Sequence, residues 1–258
     1  PLLIGTGLFL VIFTIVQDKP KEENNSKDEP LQDDVSALSY RKLLYYLLMI
    51  AKNPQMWIIG IVGAFLYLPS SVFLDLWAIP YLEYARHFSA ASAAIGVSIM
   101  LAGWVCSSFI TGAVSDLLGT RKMPLVIAAF GAAIVSAFII YVPNIPKNAL
   151  YILLFIFGAF CGPHPLCFTL SKENQSQKIA GTAIAFTNFV IMMGGFIFQP
   201  VVGKVLDLVW SGSIKQGIRI YTTSNYLIAL SIIPIGLLIA GLLSLCIKET
   251  YHDTKRTM

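Results

Sequence analysis

The sequence predicts an all-α membrane protein: a six-transmembrane-helix bundle made of two three-helix repeats, preceded by the end of another helix. Three observations lead there. Apolar residues make up 56% of the 258 positions and charged residues 12%, against roughly 45–50% and about 25% in soluble domains. Of the 18 basic and 14 acidic residues, only 14 fall outside residues 17–54 and 248–258, too few to cover a surface in water. The long apolar runs also lack strand-period alternation, which selects helices over a barrel.

Residues 1–16 form an apolar run that would span about 24 Å as a helix, short of the roughly 30 Å hydrocarbon core. They are expected to be the end of a spanning helix, and the chain, which starts at Pro1 inside that run, to belong to a longer polypeptide. Residues 17–54 read as a cytoplasmic linker. Its first part, 17–36, is polar, of both signs, and carries Pro20 and Pro30. Residues 39–53 follow as a short amphipathic helix on the membrane surface, with Arg41, Lys42 and Lys52 near its ends. Six apolar runs come next, at about 55–85, 91–115, 123–142, 149–170, 179–208 and 225–247, and residues 248–258 form a tail.

Lys and Arg set the orientation. The linker side holds Lys19, Lys21, Lys27, Arg41, Lys42, Lys52, Arg121, Lys122, Lys172, Lys178, Lys248, Lys255 and Arg256; the other side holds Arg86, Lys147, Lys215 and Arg219. The linker and C-terminus are therefore expected in the cytoplasm, with 143–148 and 209–222 facing outward. This bias explains the net charge of +4 without a nucleic-acid partner. Cys106, Cys161, Cys167 and Cys246 all sit in apolar runs and form no disulfide framework.

Polarity differs among the spans. The third and sixth carry little beyond isolated Ser, whereas the others hold Tyr67, Ser70, Ser71, Asp75, Trp104, His164, Thr187, Asn188 and Gln199. Such groups usually face a bundle interior or a water-filled cavity. Spans one, two, four and five are thus expected to line something polar. The period-three alternation is the trace of the two repeats.

Residues 112–122 read G-A-V-S-D-L-L-G-T-R-K. Gly112 permits close helix approach, Gly119 a tight turn, and Asp116 is placed to pair with Arg121 or cap a neighbouring helix. The segment resembles the major facilitator superfamily signature G-x-x-x-D-[RK]-x-G-[RK]-[RK] at Gly112, Asp116, Gly119, Arg121 and Lys122. Leu117 departs from it where the family usually has a basic residue. Other stretches, F-L-D-L-W-A-I-P-Y-L and T-A-I-A-F-T-N-F among them, resemble bacterial solute carriers, and most of all the phagosomal amino-acid and nucleoside transporters and lysosomal dipeptide carriers. The resemblance implies the C-terminal half of a twelve-helix fold, with two inverted three-helix repeats as helices 7–12. It also implies an N-terminal six-helix half of the same polypeptide as partner, and a bacterial inner membrane. The solute would bind mid-membrane between the halves, which rock to alternate access.

The substrate-binding candidates are Tyr67, Ser71, Asp75, Trp104, His164, Asn188 and Gln199. Tyr67 and Ser71 lie four apart across Pro69, where a kink is expected. Asp75 is either a proton or amine partner or a residue at the outer boundary. His164 sits between two prolines in C-G-P-H-P-L-C; its alternatives are solute or proton handling and plain packing. Cys161, His164 and Cys167 lack a fourth ligand, so no metal is expected. Asn188 is read as a solute contact or as tight packing against a neighbouring helix, eased by Gly181, Gly194 and Gly195, Gln199 as lying toward an outer gate, and Trp104 as stacking on solute or packing. Lys204, Asp207 and Trp210 fit an aromatic belt.

No H-E-x-x-H or G-x-S-x-G motif is present, so an enzyme is not expected, and no cofactor. The function expected is secondary active transport of a small polar or zwitterionic solute, such as an amino acid, small peptide or nucleoside, with protons as the coupling ion. A non-transporting sensor or scaffold subunit is the alternative.

Overall fold

The computed structural model describes residues 40–215 and 218–251, together with Thr6 and Thr14, which are helical. The rest of the expected helix over 1–16, the linker over 17–39 and tail residues 252–258 lie outside the described residues.

Six helical stretches are long and apolar enough to cross a bilayer: Pro54–Ala85, Ala90–Leu118, Lys122–Tyr141, Lys147–Glu173, Gln177–Leu208 and Thr223–Ser244. These are spans 1 to 6. A surface helix, Tyr40–Ala51, precedes them. It buries Ile50 in a cluster with Met56, Ile179, Ala183, Phe186 and Val190. Trp57 of span 1 donates from Nε1 to the Ala51 carbonyl at 2.7 Å. Asn53 caps span 1 by accepting from the Gln55 N–H, with Pro54 at the first turn.

The spans pack in three main pairs: 1 with 5, 2 with 4, and 3 with 6. Advancing each number by three turns the first pair into 4 with 2 and returns the third to itself, so the two three-helix repeats are visible in the packing. Spans 2 and 4 interlock most closely. A Cβ on Gly103 would lie 2.1 Å from the Phe155 carbonyl oxygen, and one on Gly158 would lie 1.9 Å from that of Met100. Gly194 meets Ala64 and Gly195 meets Ser71 where spans 1 and 5 cross. Gly112 and Gly181, expected to ease helix approach, have no atom of a described residue within 4 Å of a Cβ. Both are exposed on this six-span unit.

The kink expected at Pro69 takes a different form. After the helix Pro54–Leu68, span 1 widens into a π-helix, Pro69–Trp77, then Ala78–Pro80, then a second π segment, Tyr81–Ala85. Each π segment starts at or just after a proline. The missing N–H and the bulk of the ring disturb the α-helical ladder, and the wider turn absorbs the disturbance.

Arg86, just after span 1, fixes that end of the span to span 3. It donates to the Val142 carbonyl at 2.8 Å and to those of Ile139 and Ile140, complementing a helix C-terminus. Between spans 5 and 6 a two-stranded hairpin pairs Ile214 with Arg219 and Lys215 with Ile218. Asp207 there accepts from Arg219 at 2.7 Å and from the Tyr221 hydroxyl at 2.6 Å, and Arg219 covers Trp210. Its cation therefore comes from twelve residues on, not from Lys204 one turn away.

Candidate functional site

Two assemblies lie along the bundle. The first is in its middle. Helix Lys147–Cys161 stops and Leu166–Glu173 restarts, with Gly162–Pro165 as turns between them. Pro163 and Pro165 have no N–H to continue the ladder, and the His164 N–H turns back to the Cys161 carbonyl. The break presents the His164 ring to span 1. His164 is buried and stacks on Tyr67, with centroids 5.0 Å apart and planes 26° apart. Trp104 of span 2 lies 6.0 Å from Tyr67, and Phe168 meets His164 edge-on. Nε2 of His164 and Nε1 of Trp104 are buried without a hydrogen-bond partner among the described residues.

Tyr67, Trp104 and His164 are thus brought together from three spans. The other candidates are not part of this group of rings. Asp75 and Asn188 are exposed. Gln199 donates its amide to the Ser71 backbone carbonyl within the π-helix, and the Ser71 hydroxyl donates to the Tyr67 carbonyl at 3.0 Å. Thr187 is buried and bonds Ser171 at 2.8 Å. Cys161 and Cys167 are buried beside the break, and the Cys161 thiol donates to the Phe157 carbonyl. No metal-ligating group of three or more residues occurs among the described residues.

The second assembly is the 112–122 motif. Gly119 ends span 2 in the left-handed region at φ 63°, which admits Gly without strain. The turn brings Arg121 back to Asp116 at 2.6 Å, and Glu173 at the end of span 4 takes its other side at 3.3 Å. Leu117 is 87% exposed and takes no part. Sequence reasoning missed what completes the network. Glu249, just after span 6, accepts from the Thr120 hydroxyl and from the backbone N–H groups of Arg121 and Lys122 at the start of span 3. The Thr250 hydroxyl bonds Glu173, the Tyr251 hydroxyl donates to the Asp116 carbonyl, and the Tyr251 ring lies 4.9 Å from the Arg121 guanidinium. The only sequence signal was an acid among the basic residues after the last span.

Charge holds this end together. Burial alone would raise the Glu249 pKa, but the Thr120 hydroxyl and the backbone N–H groups of Arg121, Lys122 and Tyr251 hold it below its ordinary value. Burial lowers Arg121, yet bonds to Asp116 and Glu173 carry it above its usual value. The Glu249 contribution is present above the unfolded carboxylate pKa of about 4.3 and lost as pH falls through the lower folded value.

Comparison with known proteins follows the same lines. The Major Facilitator Superfamily model matches residues 1–199. The MFS thioclapurine efflux transporter tcpA of Claviceps purpurea (strain 20.1) is 27% identical over 158 residues, 59% of this chain and 28% of that protein. The xylose transporter XylE from E. coli, in a partially occluded inward-open conformation, superimposes with a TM-score of 0.52 at 17% identity, over 83% of this chain and 52% of that one. The chain therefore spans about a quarter of the first and half of the second.

Proposed function

The chain belongs to the major facilitator superfamily, and we propose from that premise that it forms the C-terminal half of a secondary active transporter. The half moves a small polar or zwitterionic solute by alternating access, coupled to protons. The observation that carries this reading is the mid-membrane cluster. A buried histidine and a half-buried tryptophan, on different spans, each keep an enclosed ring nitrogen without a partner among the described residues, an arrangement that packing alone disfavours. Tyr67, Trp104 and His164 form this half's part of the solute site, and the 112–122 motif with Glu173 and Glu249 forms its cytoplasmic latch. Spans 2 and 5 support a second half as partner. Only 22% and 33% of their most apolar windows are buried, against 67% for span 1, which suits faces awaiting another six helices.

His164→Ala should reduce uptake by the full-length polypeptide at least tenfold while leaving expression and monodispersity intact. Normal uptake with an unchanged pH profile would assign His164 to packing.

The linker and C-terminus lie in the cytoplasm on the same proposal, supported by the basic bias. Cys106 and Cys246 are exposed in this unit and are replaced first. A cysteine at Ser26 should then resist an impermeant thiol reagent in intact cells. Labelling from outside would invert the topology.

A further inference from the structure

Resting on the transporter reading, we infer that the part of the solute seated against this half is an uncharged ring bearing a hydrogen-bond acceptor. Three features of the cluster point to that chemistry. The first is the indole. Trp104 Nε1 only donates, and it is buried and unpartnered. The group that completes it must be an acceptor. His164 Nε2, unpartnered too, takes either role according to its proton.

The second feature is shape. Tyr67 lies half-buried over His164, stacked at 5.0 Å, with the Trp104 ring 6.0 Å away and tilted to it. Its hydroxyl makes no hydrogen bond to a described residue. Tyr67 is therefore a cover: while it lies in place, the two polar atoms are enclosed, and a guest must take its position to reach them. A flat guest does so by replacing one stacked face with another. The means of moving the cover is adjacent. Tyr67 is two residues before the π-helix Pro69–Trp77, and the Ser71 hydroxyl holds its carbonyl.

The third feature is charge. Along their own spans the nearest charged residues to Tyr67, Trp104 and His164 are Asp75, Asp116 and Lys172, each roughly 10 Å or more away. Asp75 is exposed on this six-span unit and lies two turns along span 1 from Tyr67. An ammonium or carboxylate of the solute would be desolvated here without a counter-charge, which is strongly unfavourable. Any charged group of a zwitterionic solute must then sit beyond this cluster.

Binding to the full-length polypeptide in lipid nanodiscs tests this, with D-glucose and uridine as neutral ring probes and glycine, L-lysine and L-glutamate as acyclic charged ones. At least one ring probe should bind, and Trp104→Phe should weaken it about tenfold or more, the usual consequence of leaving a buried polar contact unmade. Because Phe is also smaller, benzothienylalanine at position 104 serves as a second variant, keeping the bicyclic shape without the N–H, and it should weaken binding alike. Failure of both ring probes to bind, a preference for the charged probes, or unchanged ring binding without the N–H overturns the inference. Uptake into proteoliposomes separates the two readings. Trp104-dependent ring binding without uptake defeats the transporter reading and leaves the site, whereas uptake of lysine or glutamate alone defeats the site and leaves the transporter.

Discussion

Gly158→Ala should destabilise this protein by about 2–3 kcal/mol or more, although alanine is favoured over glycine in a helix by about 1 kcal/mol. A Cβ at 158 would stand 1.9 Å from the Met100 carbonyl oxygen and 3.0 Å from the Trp104 backbone N. Both obstacles are backbone, so spans 2 and 4 must part. Their separation also moves Trp104 away from His164, so binding should fall with stability. Gly181→Ala makes the same chemical change where nothing lies within 4 Å, and should be neutral or slightly stabilising. Thermal unfolding of both variants in one detergent checks the pair. Equal melting temperatures would mean that spans 2 and 4 do not cross at Gly103 and Gly158.

The proposed latch at the 112–122 motif gives the second large effect. Glu249→Ala removes the acceptor for the Thr120 hydroxyl and for two backbone N–H groups at the start of span 3. Charged acceptors at such a helix N-terminus contribute about 1–2 kcal/mol, so the balance between inward-open and inward-closed forms should shift roughly 5–30-fold. Asp116→Asn should shift it less, because the Asp116 side chain is 61% exposed, against 10% for Glu173 on the same Arg121. Accessibility of a cysteine placed at Thr250 reports the shift. With Glu249 intact, that accessibility should stay flat from about pH 8 to pH 5, because its depressed pKa keeps the carboxylate ionised there. An opening centred near pH 6 would show that another group controls the latch.

Much of the fold was legible because a bilayer demands long apolar helices and loops mark their ends. The six expected spans match the observed ones to within a few residues. The break at His164 was legible too, since Pro163 and Pro165 on either side leave no ladder to continue. Periodicity could not say which glycines face a neighbour. The spans are apolar on every side, so Gly112 and Gly158 look alike in sequence although only Gly158 meets another backbone. Contacts between distant residues were hidden for a related reason. Gln199 reads as a polar cavity residue until its amide is seen on the Ser71 carbonyl, 128 positions away. Glu249 reads as one of two acids in a mixed-charge tail until the Thr120–Lys122 turn closes around it. The paired Asp116 and Arg121 were readable because the bond closes over five residues, within one turn.

This chain is proposed to supply one half of a solute pathway, with another six helices supplying the rest. Reconstitution in proteoliposomes tests it most directly, comparing the 258-residue chain alone with the same chain joined to the N-terminal half, against the five probes above. The joined halves should show saturable, gradient-driven uptake of at least one probe, and the chain alone none. Saturable uptake by a monodisperse monomer of the chain alone, or no uptake of any probe by the joined halves, would contradict it.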